Sequence, residues 1–387
     1  MPALWTYPWT LHREGIDDAC ERLADCGIDA VTVAAHYHSV RSMQPRFLDD
    51  LFSAYEGGCY FDPGGAFDGI PIEPPVNRVG SWNDPLAAIV DGVHDHGLAV
   101  NAWTVCLHNT RLGSTNPRYR IESAFGDAHD HSLCPSHPEV RDYFAGVVGS
   151  IRERDVDEIH LESLGFPSVF HGHGSEFGHD KRQAVTTAAE TLLLSQCFCD
   201  GCRAAADSHS IDLDAARTRV LELLQRPLTD PTVSTPPPNE LTVSEPVLGD
   251  LLDFRAAVVE RLLERLADAA GPTPLNYYVM ESYGSTPPDL PLAGVRTDAL
   301  EKYLDGVTGF CYVDDPEVAR ERLASLKRTV DLPVDAGLTL DPNVIDRCEQ
   351  LGDLVDGVRS VIDGSVAVYH HSLATETHLD WMAGTFT

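Results

Sequence analysis

Lysine is scarce in this 387-residue chain: Lys181, Lys302 and Lys327 are the only three, so arginine supplies nearly all of the 28 basic side chains, set against 60 acidic ones. The formal charge of −32 repels nucleic acid and anionic membranes over most of the surface, so neither is expected as a partner. No stretch offers about eighteen uninterrupted apolar residues. The opening "MPALWTYPWTLHREG" also lacks a basic segment followed by an apolar run and a small-residue cleavage site. A cytoplasmic protein without a membrane anchor is the expectation. No GxxxxGK[ST] is found and no GxGxxG follows a strand, which disfavours sugar phosphates and dinucleotides. Without a GxSxG elbow, serine hydrolase chemistry has no support.

What is present is ample apolar material, 43% of the residues, so the charge does not signal disorder. An acidic, lysine-poor surface resembles that of proteins from salt-accumulating halophiles, where dense counterions screen self-repulsion within about 3 Å at molar salt. Halophilic behaviour is therefore expected.

Apolar runs alternate with helix-period segments, the pattern of repeated βα units. Strands are expected at 3–11, 29–39, 98–109 and 156–166, with Gly27 stopping the first helix and Asp84 and Pro85 starting the next. From 167 to 271 the period breaks into a His/Gly loop, a cysteine cluster, two helical stretches and a Pro-rich segment. Strands resume at 274–284, 307–315, 332–341 and 365–373. Eight strands with intervening helices indicate a (β/α)8 TIM barrel. One barrel domain is expected over 1–387, with 167–271 an insertion following the fourth strand.

Ten cysteines stand in the chain, and three of them fall within "CFCDGC" as Cys197, Cys199 and Cys202. In a reducing compartment a C-x-C-x-x-C cluster serves a metal more often than disulfides. Zinc in a closed structural site takes four ligands, and Cys134, just ahead of the third barrel helix, is the best-placed fourth thiol. Structural zinc on Cys134, Cys197, Cys199 and Cys202 is the expected cofactor.

The order "CPSHPEVRDYF", "EIHLESLGF" and "CFCDGCRAAA" resembles the middle of glycoside hydrolase family 42 and related hydrolase-like barrels over about seventy residues. The resemblance implies a carbohydrate substrate, zinc on the same four cysteines, Glu162 as general acid/base, and a homo-oligomer. Two positions depart from that family: Leu161 stands where it has Asn, and Asp335 where its seventh strand carries the nucleophilic Glu.

Barrel enzymes work at the C-terminal ends of their strands. Glycoside cleavage needs one protonated carboxyl and one carboxylate there, for which Glu162 pairs with Glu281 or with Asp335. Trp9, His36, His38, Asn101, Trp103, His108, Tyr283, His370 and His371 are expected to bind substrate, with aromatic rings stacking on sugar faces. In "HYH", His36 and His38 share one strand face and would point into the mouth together. Two alternatives stay open. Histidines of "HYH", "HGHGSEFGH" and "YHH" could hold a catalytic metal, as in barrel isomerases and epimerases. A noncatalytic carbohydrate-binding barrel is the other.

Overall fold

Eight parallel strands close on themselves in the computed structural model, which describes residues 1–170, 182–184, 187–230, 232–233, 235–279 and 290–387. The barrel strands are β1 (Pro2–Thr6), β2 (Ala30–Tyr37), β3 (Ala99–Val105), β4 (Glu158–Glu162), β5 (Leu275–Val279), β6 (Gly306–Phe310), β7 (Val334–Thr339) and β8 (Val366–Tyr369). Closure comes from β1, which pairs in parallel with β8 on one side and β2 on the other.

The helices connecting them are α1 (Ile16–Asp25), α2 (Pro85–Asp95), α3 (Pro138–Arg152), α4 (Pro246–Ala270), α5 (Thr297–Tyr303), α6 (Pro316–Thr329), α7 (Cys348–Arg359) and α8 (Glu376–Phe386). Such strands are covered on both faces and read as continuous apolar runs. All eight residues of β2 are buried. Their alternation builds two cores. Trp5, Ala34, Trp103 and Tyr278 fill the barrel, while Leu4, Val31, Val33 and Ala102 face the helices.

Local signals act as the sequence implies. Asp84 accepts the amide of Ala87 at 3.0 Å to cap α2, with Pro85 in its first turn. Gly27, at φ 72°, ends the turn after α1 in a conformation that glycine adopts without strain. The first strand is shorter than expected, because the chain turns at Tyr7 into a helix over Pro8–Glu14. Trp9 therefore stands on a helix above the strand end.

Between β4 and β5 the chain forms helices over Ala188–Leu194, Asp200–His209, Leu213–Thr229 and Pro238–Ser244 before α4, which packs along α3. Among the described residues no helix is long and apolar enough to cross a membrane.

Candidate functional site

Glu162 is the last residue of β4 and so stands at the C-terminal mouth of the barrel. Its strand is locked to β3, where Val105 is its register partner and Cys106 N donates to its carbonyl at 2.8 Å. The side chain is partly exposed, and Trp103 Nε1 donates to its Oε2 at 2.6 Å. Burial of the carboxyl among aromatic rings pushes its pKa up to about 7, against the opposing pull of the indole hydrogen bond.

Rings surround this pair. Trp103 meets Tyr37 edge-on at 4.5 Å, and Tyr7, Tyr278, Tyr369 and His370 have centroids within 6.4 Å of it. Trp9 stacks on Tyr7 and on Tyr55, both at 4.3 Å. Tyr7, Tyr37, Tyr278 and Tyr369 were not singled out from the sequence, although the every-second-residue spacing of Trp5 and Tyr7 carried the signal that both face inward.

His370 is 1% exposed, and its Nδ1 accepts the amide of Ser372 at 3.1 Å. That contact leaves Nε2 as the protonated nitrogen, and it has no hydrogen-bond partner. Burial holds the ring's pKa well below the usual histidine value, so it is neutral. Trp9 Nε1 is likewise a buried donor without a partner. Two unpaired N–H groups thus flank Tyr7, whose ring lies 4.3 Å from Trp9 and 4.2 Å from His370.

Several expected residues fall elsewhere. The pairing of β2 with β3 shifts register between Ala34 and His36, and this bulge turns His36 to the opposite face. Its Nδ1 meets Val105 O at 2.6 Å and its Nε2 meets the Tyr143 hydroxyl at 3.2 Å, with Phe144 of α3 edge-on at 5.7 Å. Burial lowers its pKa to about 4. The shared face expected for His36 and His38 is thereby corrected: His36 packs under α3, while His38 is half-buried with its ring 4.9 Å from that of His108. Asn101 lies lower in the barrel, level with Glu158, and bonds Thr32 Oγ1 at 3.3 Å.

His371 is fully buried in an ion cluster. Its Nδ1 meets Thr6 Oγ1 at 3.0 Å, and its Nε2 is 2.9 Å from Arg46 and 3.2 Å from Glu14.

Asp335 requires the plainest correction. It is the second residue of β7, about 13 Å below the strand's end at 3.3 Å per residue. Its carboxylate accepts from Asn276 Nδ2 at 2.9 Å and from the Ser365 amide. Glu162 and Asp335 occupy opposite ends of the barrel, so Asp335 is not the second carboxylate of the mouth. Glu281 and Tyr283 lie outside the described residues.

The thiols meet. Cys134, Cys197, Cys199 and Cys202 are all buried, and their sulfurs lie within 4.8 Å of one another. Cys134 is 3.6 Å from Cys202 and 3.7 Å from Cys197. A tetrahedron with arms of about 2.3 Å has edges of about 3.8 Å, so these separations suit one ion at the centre. Polar groups approach three of the sulfurs: the Glu122 amide donates to Cys197 at 3.5 Å, Ser136 Oγ is 3.2 Å from Cys202, and His137 Nε2 is 3.5 Å from Cys199. Neighbouring thiols and His137 drive the Cys199 pKa far down, whereas burial and the neighbouring thiols hold that of Cys134 well above the usual value. At Cys202 the hydrogen bond to Cys134 lowers the pKa, but the bonds to Cys197 and Cys199 and burial outweigh it and raise it well above the usual value. Among the described residues this is the one group of three or more Cys, His, Asp or Glu side chains gathered closely enough to hold a metal.

No protein-family model matches the chain, and no curated protein resembles it in sequence. Among solved structures it is similar to the β-galactosidase of the psychrophilic Marinomonas ef1, at 12% identity and TM-score 0.55 over 95% of this chain and 54% of that one. The β-galactosidase of Bacillus circulans sp. alkalophilus gives 12% identity and TM-score 0.54 over 99% and 55%. The α-L-fucosidase isoenzyme 2 of Paenibacillus thiaminolyticus gives 13% and 0.50 over 95% and 44%. The likeness is one of fold, the eight-stranded parallel barrel, and the chain spans about half the length of these structures.

Proposed function

We propose that the protein is a glycoside hydrolase in which Glu162 is the general acid/base. The observation that carries this reading is a strand-end carboxyl with its pKa raised to about 7, held by an indole N–H in a mouth lined with aromatic rings. Such a group keeps its proton near neutrality and can deliver it to a leaving glycosidic oxygen. Trp103 stands beside Glu162 in this mouth, and the buried N–H donors of Trp9 and His370 lack protein partners there. The glycosidase names of the structural neighbours support the same reaction class.

Glu281 is our choice for the second carboxylate, because it follows the end of β5 by two residues and β5 neighbours β4. We assign zinc to the four cysteines. A closed four-sulfur site has no open position for water, so the ion braces the Asp200–His209 helix against the start of α3 and takes no part in the chemistry. The family 42 resemblance and a homo-oligomeric state remain part of this proposal.

A panel of aryl β-galactosides, α-galactosides and α-L-fucosides tests it. Turnover on one of them, reduced by about 10²- to 10⁴-fold in Glu162→Gln, is the expected result. Saturable sugar binding with no turnover across the panel would instead favour the noncatalytic carbohydrate-binding barrel.

A further inference from the structure

Outside the barrel mouth, a cleft of about 480 Å³ lies against the thiol centre, sharing Ser136, His137 and Gly201 with its surroundings. Three arginines from three separate elements line it: Arg118 from the turn before the strand Arg120–Glu122, Arg141 from α3 and Arg261 from α4. Some exposed arginines of this chain pair with a carboxylate, as Arg22 does with Glu376, Arg203 with Asp214 and Arg265 with Asp142, and others, such as Arg41, Arg78, Arg226 and Arg328, have no ion pair among the described residues. Arg118 and Arg261 belong to the second group. Both are exposed, and among the described residues neither has an ion pair or hydrogen bond; Arg118 only rests over the Tyr119 ring at 5.7 Å.

Arg141 is fixed between them in charge. Its Nη1 donates to the carbonyls of Pro135 at 2.6 Å and Ser136 at 3.1 Å, which pins the guanidinium without neutralising it. The start of α3 carries no side-chain cap and adds the positive end of its dipole. Like charges assembled from separate elements repel one another, and a bound anion would offset that repulsion.

We propose that this cleft binds a small phosphorylated sugar or polyol, its phosphate held by Arg118, Arg141 and Arg261. Guanidinium forks match phosphate oxygens in pairs, and the volume falls within the range of small-molecule sites. The two acidic lining residues, Glu139 and Asp200, exclude a bare polyanion from the whole cleft and suit the hydroxyls of the ligand's body. The site is independent of the glycosidase reading. The sequence signals that disfavour sugar phosphates are missing glycine-rich backbone cradles, whereas this cleft would hold phosphate by arginine side chains.

The test is calorimetric titration of the full chain with glucose 6-phosphate, and with glucose alone, at one fixed KCl concentration. The same titrations use the Arg118→Ala/Arg261→Ala double variant. Saturable binding of glucose 6-phosphate with a dissociation constant below about 1 mM, weakened at least about tenfold in the variant, is expected. Both residues are exposed, and unchanged metal content and melting temperature in the variant verify its fold. No saturable binding of glucose 6-phosphate would overturn the proposal. So would binding that the variant leaves intact, or glucose binding equally well, which would direct the ligand to the barrel mouth. None of these outcomes bears on the role of Glu162.

Discussion

Trp103 Nε1 donates to Glu162 Oε2 at 2.6 Å, across the seam between β3 and β4, and this bond opposes the effect of burial on the carboxyl. An N–H donor favours the ionised form, whereas burial favours the protonated one, and the second effect prevails with a pKa of about 7. A general acid acts while protonated, so kcat/KM should fall as the pH rises through that value. Trp103→Phe removes the donor and should move this alkaline limb upward by about one pH unit. Measuring kcat/KM against pH for both proteins checks the direction; a limb that stays in place or moves down would contradict it.

Glu14 joins the first helix to the end of β8 through charge. Its carboxylate meets Arg46 at 3.1 Å, Arg22 at 3.3 Å and His371 at 3.2 Å, with the side chains of Glu14 and Arg46 only 7% and 5% exposed. Although burial raises its pKa, the hydrogen bond to His371 and the charges of His371, Arg46 and Arg22 outweigh burial and lower it to about 2. Ionised Glu14 thus stabilises the fold fully above about pH 4.5, and that contribution is lost as the pH falls toward 2. Glu14→Gln should cost about 3 to 5 kcal/mol at neutral pH, because it leaves Arg46 buried without its counter-charge. Denaturation of wild type and variant should show this deficit shrinking below pH 4.5.

The four sulfurs should bind about one zinc per chain in elemental analysis. Cys197→Ser/Cys202→Ser should abolish it and lower the melting temperature, since the Asp200–His209 helix loses its link to the start of α3. Full metal retention in that variant would place the ion elsewhere.

The charge of −32 predicts that stability depends on salt. Raising KCl from about 0.1 M to about 2 M shortens the screening length from about 10 Å to under 3 Å and should raise the melting temperature by at least several degrees. An unchanged or falling melting temperature would remove the halophilic expectation.

Much of the fold was legible because parallel strands buried on both faces write themselves as apolar runs, and all eight fell where those runs stand. The thiol centre was legible from residue type and order, since Cys134 precedes a helix whose N-terminus meets the later trio. Finer placement was not. Alternation put His36 into the mouth, but the bulge after Ala34 reverses its face, and nothing in "VAAHYH" announces a bulge. Asp335 was judged by its strand and not by its height along it. Trp9 was read as strand because the turn at Tyr7 and Pro8 was overlooked, though proline in a first helical turn is a recognised start signal. The arginine cleft is assembled from residues up to 143 positions apart, Arg118 to Arg261, and only the packing of α4 along α3 brings them together.

The most direct test of the central claim is the leaving-group dependence of Glu162→Gln. Aryl glycosides of one sugar, differing only in the acidity of the departing phenol, would be compared with wild type by kcat/KM. A lost general acid matters most where the departing oxygen needs a proton. The account predicts a loss of about 10²-fold or more with a weakly acidic phenol, and a much smaller one with a strongly acidic phenol. Equal loss across the series, or none, would contradict the assignment of Glu162 as the acid.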